Sequence, residues 1–321
     1  MNEFELIKKY FTDSVCAQGG EHVALGIGDD CALLQIPADQ QCAVSTDTLV
    51  SGVHFPDNAP AYLLAQRALA VAVSDLAAMG AEPIGFTLAI SLPQIDTQWL
   101  QDFSAGLSHM AQHCAISLVG GDTTRGPLAI TVTVMGAVPR QQVLLRSGAQ
   151  VGDVLCVSGP LGAAAAAVPL VLGELDTVVL TEQLVEQLLD AYWLPQPQLQ
   201  LGQYLRGKAH AALDISDGLL ADCGHMAKAS QVAVQIQQEQ VPVAAAARQL
   251  LGDQAALQCA LTGGDDYQLA FSIAPQRVEP LQRLFPAVRV IGQVCAGSGV
   301  QLLNSSGQAV VHQRSGYQHF E

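Results

Sequence analysis

The segment from Pro139 to Gly152 divides the chain into two halves that each carry a full set of strand-like and helix-like patterns. It combines proline and glycine with two arginines and shows no apolar periodicity. A chain of 321 residues is also long enough for two domains. The sequence therefore predicts two α+β domains of similar size, at residues 1–138 and 150–321.

Apolar runs of strand length alternate with segments whose apolar residues recur three and four positions apart, which is typical of amphipathic helices. The predicted strands of the first half are His22–Ile27, Cys42–Thr46, Ile84–Leu92, Ser117–Val119 and Leu128–Val138. Its predicted helices are Ala61–Met79 and Gln98–Cys114. The predicted strands of the second half are Val154–Ser158, Ala211–Ile215, Val232–Ile236, Gln268–Ile273, Val288–Val294 and Val300–Leu303. Its predicted helices begin at Leu161 and then cover Thr181–Tyr192, Leu219–Ala229, Val243–Leu251 and Pro275–Phe285.

The charge balance excludes one large class of partner. The chain has 29 acidic and 14 basic residues and a formal net charge of −15, although only 13% of its residues are charged. Binding to bare nucleic acid needs a basic surface for the phosphates, so no nucleic acid partner is expected. Many of the acids lie in turn-like segments rich in glycine, serine and threonine, without a nearby base. Carboxylates in such places often bind cations.

The chain also lacks the marks of a membrane or secreted protein. Its longest apolar stretch, Leu161–Leu172, is too short to cross a bilayer. The N-terminus has neither the basic start nor the apolar core of a signal peptide. The eight cysteines are scattered singly with no C-x-x-C pair, which favours reduced thiols over a disulfide framework. We expect a cytoplasmic protein without a membrane partner.

Six short acidic segments lie at the edges of predicted strands and helices. Each combines small residues, which let a backbone approach a ligand, with carboxylates and often hydroxyl groups. Taken singly, such a segment is more often a capped turn, because Asp and Ser favour N-caps and Gly favours tight turns. Six together favour a shared role, and Mg²⁺ takes such oxygen ligands alongside substrate phosphates. The segments are Gly26–Asp30, Ser45–Thr48, Ser74–Asp75, Gly120–Gly126, Asp214–Gly218 and Thr262–Asp266.

The common phosphate-binding motifs are missing. No G-x-x-x-x-G-K-[ST] occurs, and no Lys lies between Lys9 and Lys208, which excludes a P-loop. Gly26–Asp30 lacks the third glycine of a dinucleotide fingerprint, and protein-kinase motifs are absent. A nucleotide triphosphate would then be held through metal ions, glycine amides and a few arginines. Arg125 and Arg146, each in a predicted Gly-flanked loop, are the candidates, and an ordinary surface role is the alternative.

The order and spacing of the six segments resemble the thiamine-monophosphate kinase family, which belongs to the aminoimidazole-ribonucleotide-synthetase-like ATP-dependent superfamily. The motifs that carry the resemblance are GIGDD, STD, SDLAAMG, GGDTTR, DISDG and GGDD, and the likeness extends to Gly316–Phe320. It implies the two-domain α+β fold of that superfamily, with an N-terminal sheet that forms a homodimer. It also implies ATP-dependent phosphorylation of thiamine monophosphate to thiamine diphosphate, by direct in-line transfer with several Mg²⁺ ions.

The resemblance implies a role for each matching residue as well. The implied ATP contacts are Gly121, Asp122, Arg146 and Ser216. The implied thiamine monophosphate contacts are His54, Asp265 and Tyr317. The implied Mg²⁺ ligands are Asp30, Ser45, Thr46, Asp47, Asp75, Asp122, Asp214 and Asp217. We expect no covalent nucleophile and no general base, because the acceptor phosphate, with a second pKa of about 6, is already ionised near pH 7.

One segment departs from the family pattern, and two other functions stay open. Many relatives have Gly-Gly-Glu-Asp where this chain has Gly263–Asp266, so the substrate contact falls to Asp265 or to Asp266. The first alternative is another enzyme of the superfamily, such as an aminoimidazole ribonucleotide synthetase. A selenophosphate synthetase is disfavoured because Cys16 lacks the neighbouring Lys of the reactive cysteine in that enzyme. The second alternative is a non-catalytic regulator that binds Mg-nucleotide.

Overall fold

The computed structural model describes residues 3–175, 180–310 and 316. The chain forms two compact units, Met1–Leu76 with Ala81–Arg140 and Ala77–Gly80 with Gln141–Glu321. Both units mix helices with β-sheet. Tyr317, an expected substrate contact, lies outside the described residues.

The first unit is built on a four-stranded sheet. Its helices are α1 (Glu3–Ile7), α2 (Ala61–Ala78), whose last two residues belong to the second unit, and α3 (Thr97–His113). Strands β1 (Val23–Leu25) and β2 (Leu33–Leu34) form a separate antiparallel pair. The main sheet has the order β3 (Gln40–Val50), β6 (Ala129–Pro139), β4 (Glu82–Leu92) and β5 (Ser117–Arg125). β3 and β5 are therefore its two edge strands.

The two faces of this sheet differ in their exposure. Side chains alternate between the faces along a strand. On β6, Val132 and Val134 are at most 1% exposed, whereas Thr131 and Thr133 are partly exposed. We call the side with the buried valines the covered face and the other side the open face. The covered face faces the core of the unit, to which α2 and α3 add many fully buried side chains.

The second unit is built on a seven-stranded sheet. Its strands are β7 (Val154–Val157), β8 (Ala209–Asp214), β9 (Ala233–Gln237), β10 (Leu269–Ile273), β11 (Arg289–Cys295), β12 (Gly299–Leu303) and β13 (Ala309–Val310). They follow the order β13-β12-β9-β11-β7-β10-β8. Its helices are α4 (Ala163–Val171), α5 (Glu182–Trp193), α6 (Leu199–Leu205), α7 (Leu219–Ser230), α8 (Ala245–Thr262) and α9 (Val278–Leu284).

Strand β7 shows that this second sheet is covered on both faces. Leu155 and Val157 pack in one apolar cluster, and Cys156 between them packs in another. A strand that is buried on both faces has a continuous apolar sequence instead of an alternating one. The sequence of β7, Val-Leu-Cys-Val, has that form.

Helix α2 has the length and apolar composition that could cross a membrane, and within the described ranges it alone passes that test. Buried residues make up 83% of its apolar window. A core helix passes the same test, so this finding is weak support for a membrane span.

Two of the six acidic segments lie within strands and not at their edges. Ser45–Thr48 is part of β3, and Gly120–Arg125 forms the second half of β5. Arg125 is thus the last residue of a strand, and its expected place in a loop is wrong. The pattern misled because glycine has a low strand propensity, which pairing with a neighbouring strand overrides here.

Helix α8 also differs from its prediction, because it continues beyond Leu251 to Thr262. It bends at Gly252, whose φ of 76° interrupts the helix. A glycine within a helical pattern reads as a helix end. The continuation carries the chain directly into the acidic segment that starts at Thr262.

Candidate active site

Three side chains of the first unit form what we call the strand-edge cluster: Ser45, Asp47 and Asp75. Ser45 and Asp47 lie two positions apart on the edge strand β3, opposite the buried valines of β6, so both point to the covered face. Asp75 lies on α2, and its Oδ2 accepts a hydrogen bond of 2.5 Å from Ser45 Oγ. The alternation of the strand thus brings a hydroxyl group and two carboxylates together.

The strand-edge cluster carries more negative charge than its hydrogen-bond donors satisfy. Asp47 Oδ2 is buried and, among the described residues, has no hydrogen-bond partner. Burial, followed by the nearby Asp75 carboxylate, raises the pKa of Asp47 from 3.8 to about 6. Within the described chain, no basic side chain forms an ion pair with either carboxylate. A divalent cation would supply the missing positive charge, and hard oxygen donors are the ligands that Mg²⁺ prefers.

Thr46 belongs to the same strand but not to the cluster. Its side chain points to the open face, where its hydroxyl lies 2.9 Å from the hydroxyl of Thr133 on β6. The expected metal ligation by Thr46 therefore cannot use this hydroxyl together with Asp47. Only the main-chain oxygen of Thr46 remains for that role.

Gly121 and Asp122 lie on β5, at the opposite edge of the sheet from the strand-edge cluster. Three strand spacings of about 4.8 Å separate the two edge strands, which amounts to roughly 14 Å. The register pairs Asp122 with Ala89 of β4, on the open face. A Cβ atom at position 121 would lie 1.9 Å from the main-chain oxygen of Leu88, so only glycine fits there. One chain by itself does not gather the expected metal ligands Asp47 and Asp122.

A small pocket adjoins Gly121 and Asp122. Its wall is mostly apolar and includes Phe11 from the N-terminal segment and Leu118 from β5. Phe11 is 5% exposed, so its ring is held in place by packing. The pocket can cover a flat apolar group next to the glycine backbone.

His54 follows β3 and is partly buried. Its Nδ1 accepts a hydrogen bond of 3.0 Å from the main-chain N–H of Val50. In the neutral ring the hydrogen therefore sits on Nε2. His54 can donate that hydrogen to an anion such as a phosphate oxygen.

In the second unit, the loop Ser216–Gly218, the side chain of Asp222 and the segment Asp265–Tyr267 form what we call the loop cluster. The main-chain N–H groups of the three loop residues all donate to Asp222 Oδ2, each over 3.1 Å. Asp222 lies in the first turn of α7 and is 5% exposed. Asp222 is not among the site residues predicted from the sequence, although an acid four residues after Gly218 at the start of a helix is a usable signal.

The carboxylate of Asp222 lies close to other groups that can bind a metal. Donor atoms of Asp217, Asp222 and His225 all lie within 4.8 Å of one another. Burial is the main cause that raises the pKa of Asp222 from 3.8 to about 7, and Asp217 adds to it. The three main-chain N–H groups act in the opposite direction, because they stabilise the ionised form.

The segment Asp265–Tyr267 has an unusual backbone that the neighbouring loop holds in place. Asp265 and Tyr267 have φ values of 61° and 49°, in the left-handed region that non-glycine residues rarely adopt. Their main-chain N–H groups donate to the carbonyls of Ser216 and Ile215, each over 2.8 Å. The Tyr267 hydroxyl lies 3.0 Å from Asp265 Oδ1 and donates to it. Asp265 is partly exposed, so its carboxylate can reach a ligand.

Asp266, the neighbouring acid, is directed inward. Its Oδ1 accepts a hydrogen bond of 2.7 Å from the N–H of Gly162 at the start of α4, and its Oδ2 is buried. Burial raises the pKa of Asp266 well above its ordinary value. Of the two adjacent acids, Asp265 is the one whose side chain is open to a substrate.

The remaining expected site residues fall into three environments. Asp30 is exposed between β1 and β2 and, within the described chain, makes no hydrogen bond to the strand-edge cluster. Asp214 is the buried last residue of β8, two positions before the start of the Ser216–Gly218 loop. Arg146 is exposed in the loop that opens the second unit, where its main-chain oxygen accepts a hydrogen bond from Ser230 Oγ.

Two family models match most of the chain. Residues 28–138 match the N-terminal domain of AIR synthase related protein, and residues 150–303 match the C-terminal domain of AIR synthase related protein. Their order agrees with the two mixed α/β units of the structure. The predicted two-domain α+β fold of this superfamily is confirmed.

Relatives that match the full length of the chain point to one family within this superfamily. The chain is 42% identical to the thiamine-monophosphate kinase of Escherichia coli over 99% of this chain and 98% of that protein. It is similar to the crystal structure of thiamine-monophosphate kinase from Stenotrophomonas maltophilia (TM-score 0.83, 45% identity, 90% of this chain and 93% of that one). It is also similar to AaThiL complexed with AMPPCP and TMP (TM-score 0.80, 28% identity, 99% and 96%). The chain belongs to the thiamine-monophosphate kinase family.

Proposed function

We propose that this chain phosphorylates thiamine monophosphate with ATP, and that the strand-edge cluster and the loop cluster hold the two phosphorylated substrates. Family membership supports the reaction, because the full-length relatives are thiamine-monophosphate kinases. The observation that supports the role of the strand-edge cluster is the buried oxygen of Asp47, beside Asp75, that has no hydrogen-bond partner in the described part of the chain. The proposed location is the cytoplasm, where the eight cysteines, all free in the structure, stay reduced.

The residues of the clusters fit Mg²⁺. Ser45, Asp47 and Asp75 supply oxygen donors with no ion-paired base among the described side chains, and the main-chain oxygen of Thr46 lies on the same edge strand. Asp214 and Asp217 would hold Mg²⁺ in the second unit, and Asp30 and Asp122 would add to the ligands of the first. When bound, Mg²⁺ neutralises phosphate charge that the acidic site would otherwise repel.

The two substrates would contact different groups. For ATP these are the backbone of Gly121, Asp122, the Arg146 side chain and Ser216, with the apolar pocket beside Gly121 covering the base. For thiamine monophosphate, His54 Nε2 would donate to the phosphate and Asp265 would accept from the organic part. Tyr317 would add an aromatic contact by analogy with the family.

The residues of this site act by positioning and neutralising charge. The acceptor phosphate oxygen attacks the γ-phosphorus of ATP, and the bond from that phosphorus to the β-phosphate oxygen breaks, so that ADP leaves. The attacking oxygen is already ionised at pH 7, because its second pKa is about 6, and no residue has to remove a proton. The Nδ1 of His54 is occupied by the Val50 N–H, which leaves His54 as a donor to phosphate and not as a base.

A homodimer through the first unit would complete the site. Asp47 and Asp122 lie on opposite edge strands of one sheet, so a single chain keeps them apart. The open face, with Val44 61% exposed and a row of threonines, is the surface that a second copy would cover. A two-fold axis that places β5 of one copy beside β3 of the other would bring the strand that carries Asp122 next to the strand that carries Asp47.

The purified protein should be incubated with Mg-ATP, with and without thiamine monophosphate. We expect ADP and thiamine diphosphate in equal amounts, and almost no ADP without the acceptor. With γ-labelled ATP alone, the denatured protein should carry no label, and initial rates should give intersecting lines. ATP hydrolysis at the same rate with and without thiamine monophosphate would refute the proposed reaction. A labelled protein whose label passes into the product would refute direct transfer.

A further inference from the structure

We infer that Asp222 is a positioning residue that makes the Ser216–Gly218 loop bind nucleotide only as its metal complex. The inference rests on the proposed function, because it takes this loop to be part of the ATP site. It adds a residue to that site and a reason for its metal requirement.

Three consecutive main-chain N–H groups, from Ser216, Asp217 and Gly218, point at one oxygen of Asp222. Consecutive N–H groups arranged around one point form a nest, which is the arrangement that binds phosphate in glycine-rich loops. Here the nest is filled from within the chain, by a carboxylate that is 5% exposed.

The contacts with Asp222 limit which groups of the Ser216–Gly218 loop can bind a ligand. A phosphate oxygen cannot use N–H groups that already donate to Asp222, and the ionised form of this carboxylate would repel it. The Ser216 hydroxyl and the Asp217 carboxylate remain, and both residues are partly exposed. A carboxylate beside a second carboxylate attracts a cation, so the loop recognises the metal in a metal–nucleotide complex and not the bare phosphate.

Main-chain contacts on two sides hold the Ser216–Gly218 loop in place. Two further main-chain contacts reach it from the Asp265–Tyr267 segment, but both use carbonyl oxygens, those of Ser216 and Ile215. Within the described ranges, Asp222 is therefore the group that holds the N–H side of the loop. Without the Asp222 carboxylate the three N–H groups become free to donate to an anion.

The test compares Asp222→Asn and Asp222→Ala with the parent protein, by calorimetric binding of ADP in Mg²⁺ and in EDTA. Asn keeps the shape of the side chain and one acceptor oxygen, so the Asp222→Asn protein can be tested even if Asp222→Ala does not fold. The control is Asp96→Asn at the N-cap of α3, since that carboxylate also accepts two main-chain N–H groups, from Gln98 and Trp99. Thermal melts establish that each variant is folded.

We expect Mg²⁺ to tighten ADP binding to the parent protein and to Asp96→Asn by at least about 100-fold, since several phosphate charges depend on it. In Asp222→Asn this ratio should fall by about 10-fold, because a neutral acceptor holds the N–H groups less strongly. In Asp222→Ala it should fall further, with measurable ADP binding in EDTA. A purely structural role would lower the melting temperature and leave the ratio unchanged.

A folded Asp222→Asn protein with the parental ratio would overturn the inference. The measurement needs no acceptor, so it is independent of whether thiamine monophosphate is the substrate. If the parent protein binds ADP as described but does not phosphorylate thiamine monophosphate, the proposed function fails while the role of Asp222 stands.

Discussion

The strand-edge cluster of the first unit and the loop cluster of the second both bury carboxylates, but they satisfy them differently. Asp47 has a buried oxygen without a hydrogen-bond partner among the described residues, next to a second carboxylate. Asp222 is buried as well, yet one of its oxygens accepts three main-chain N–H groups. Asp266 is an intermediate case: its Oδ1 accepts the N–H of Gly162, whereas its Oδ2 is buried and, among the described residues, has no hydrogen-bond partner.

Asp47 and Asp75 are therefore suited to bind a ligand, whereas Asp222 holds the backbone of its own loop. Ionising a buried carboxylate costs free energy unless donors or a cation compensate it. Among the described residues, the Ser45 hydroxyl compensates Asp75 and no donor compensates Asp47 Oδ2, which leaves a cation as the missing partner. At Asp222 the compensation comes from the chain itself, so the ligand-facing groups of the loop cluster are Asp217 and Asp265 and not their more deeply buried neighbours.

The largest expected effect is on Asp47. The substitution Asp47→Asn keeps the shape but removes a charge from the metal-binding group, and we expect kcat to fall at least about 100-fold, as is common for positioned electrostatic groups. The protein should remain folded, because the change also removes a repulsion with Asp75. Steady-state assays and thermal melts, with Asp102→Asn on α3 as the control, measure both effects. Near-normal activity would show that Asp47 is not a ligand.

The shared site is tested by mixing inactive variants. If Asp47 of one chain works with Asp122 of the other, dimers mixed randomly from Asp47→Asn and Asp122→Asn should regain about a quarter of the parental activity, since half of the dimers then hold one intact site. Mixtures of Asp47→Asn and Asp75→Asn should regain none, because those residues share one chain's cluster. Equal recovery in both mixtures, or none in either, would contradict a site shared in this way.

A smaller effect is expected at Tyr267. Its hydroxyl orients the Asp265 carboxylate, so Tyr267→Phe should raise the KM for thiamine monophosphate about 3- to 10-fold, the equivalent of one hydrogen bond. The KM for ATP and kcat should change little. Tyr204→Phe, in the same unit, serves as the matched control. A larger change in the KM for ATP than for thiamine monophosphate would assign Asp265 to the nucleotide.

The smallest effect concerns the pH dependence of stability without metal. Folded Asp47 has a pKa of about 6 against 3.8 when unperturbed, so the native state binds the proton more tightly. The free energy of unfolding therefore falls as the pH rises from about 4 to 6. At pH 7 in EDTA, Asp47→Asn should be more stable than the parent by about 1–2 kcal/mol, after discounting for partial exposure.

Denaturant titrations at pH 4 and pH 7 measure this difference. The difference should shrink as the pH falls toward 4 and vanish only well below 3.8, where the parent carboxyl is protonated in the folded and the unfolded state. Added Mg²⁺ should stabilise the parent more than the variant at pH 7. A stability difference that is the same at both pH values would mean that Asp47 is not the group that titrates.

Much of the local structure was predictable because it depends on neighbours in sequence. The periodicity of Ala61–Met79 predicted α2 to within one residue, and the continuous apolar run near Val154 predicted β7. Helix α6 was missed, since Leu199–Leu205 is short and has no side-chain cap. The acidic motifs identified the family, but their glycines and threonines suggested turns where β3 and β5 continue.

The sequence by itself determined the two-domain α+β organisation, the exclusion of a P-loop and the acidic residue types that a metal-bridged phosphate site needs. Only the tertiary structure decided which carboxylates lack donors, which face of β3 carries Thr46 and how far Asp122 lies from Asp47. The physical reason is that these properties depend on strand register and on groups distant in sequence. Ser45 donates a hydrogen bond to Asp75, 30 positions away, and Asp266 accepts one from Gly162, 104 positions away. Residue spacing along the chain carries no information on such contacts.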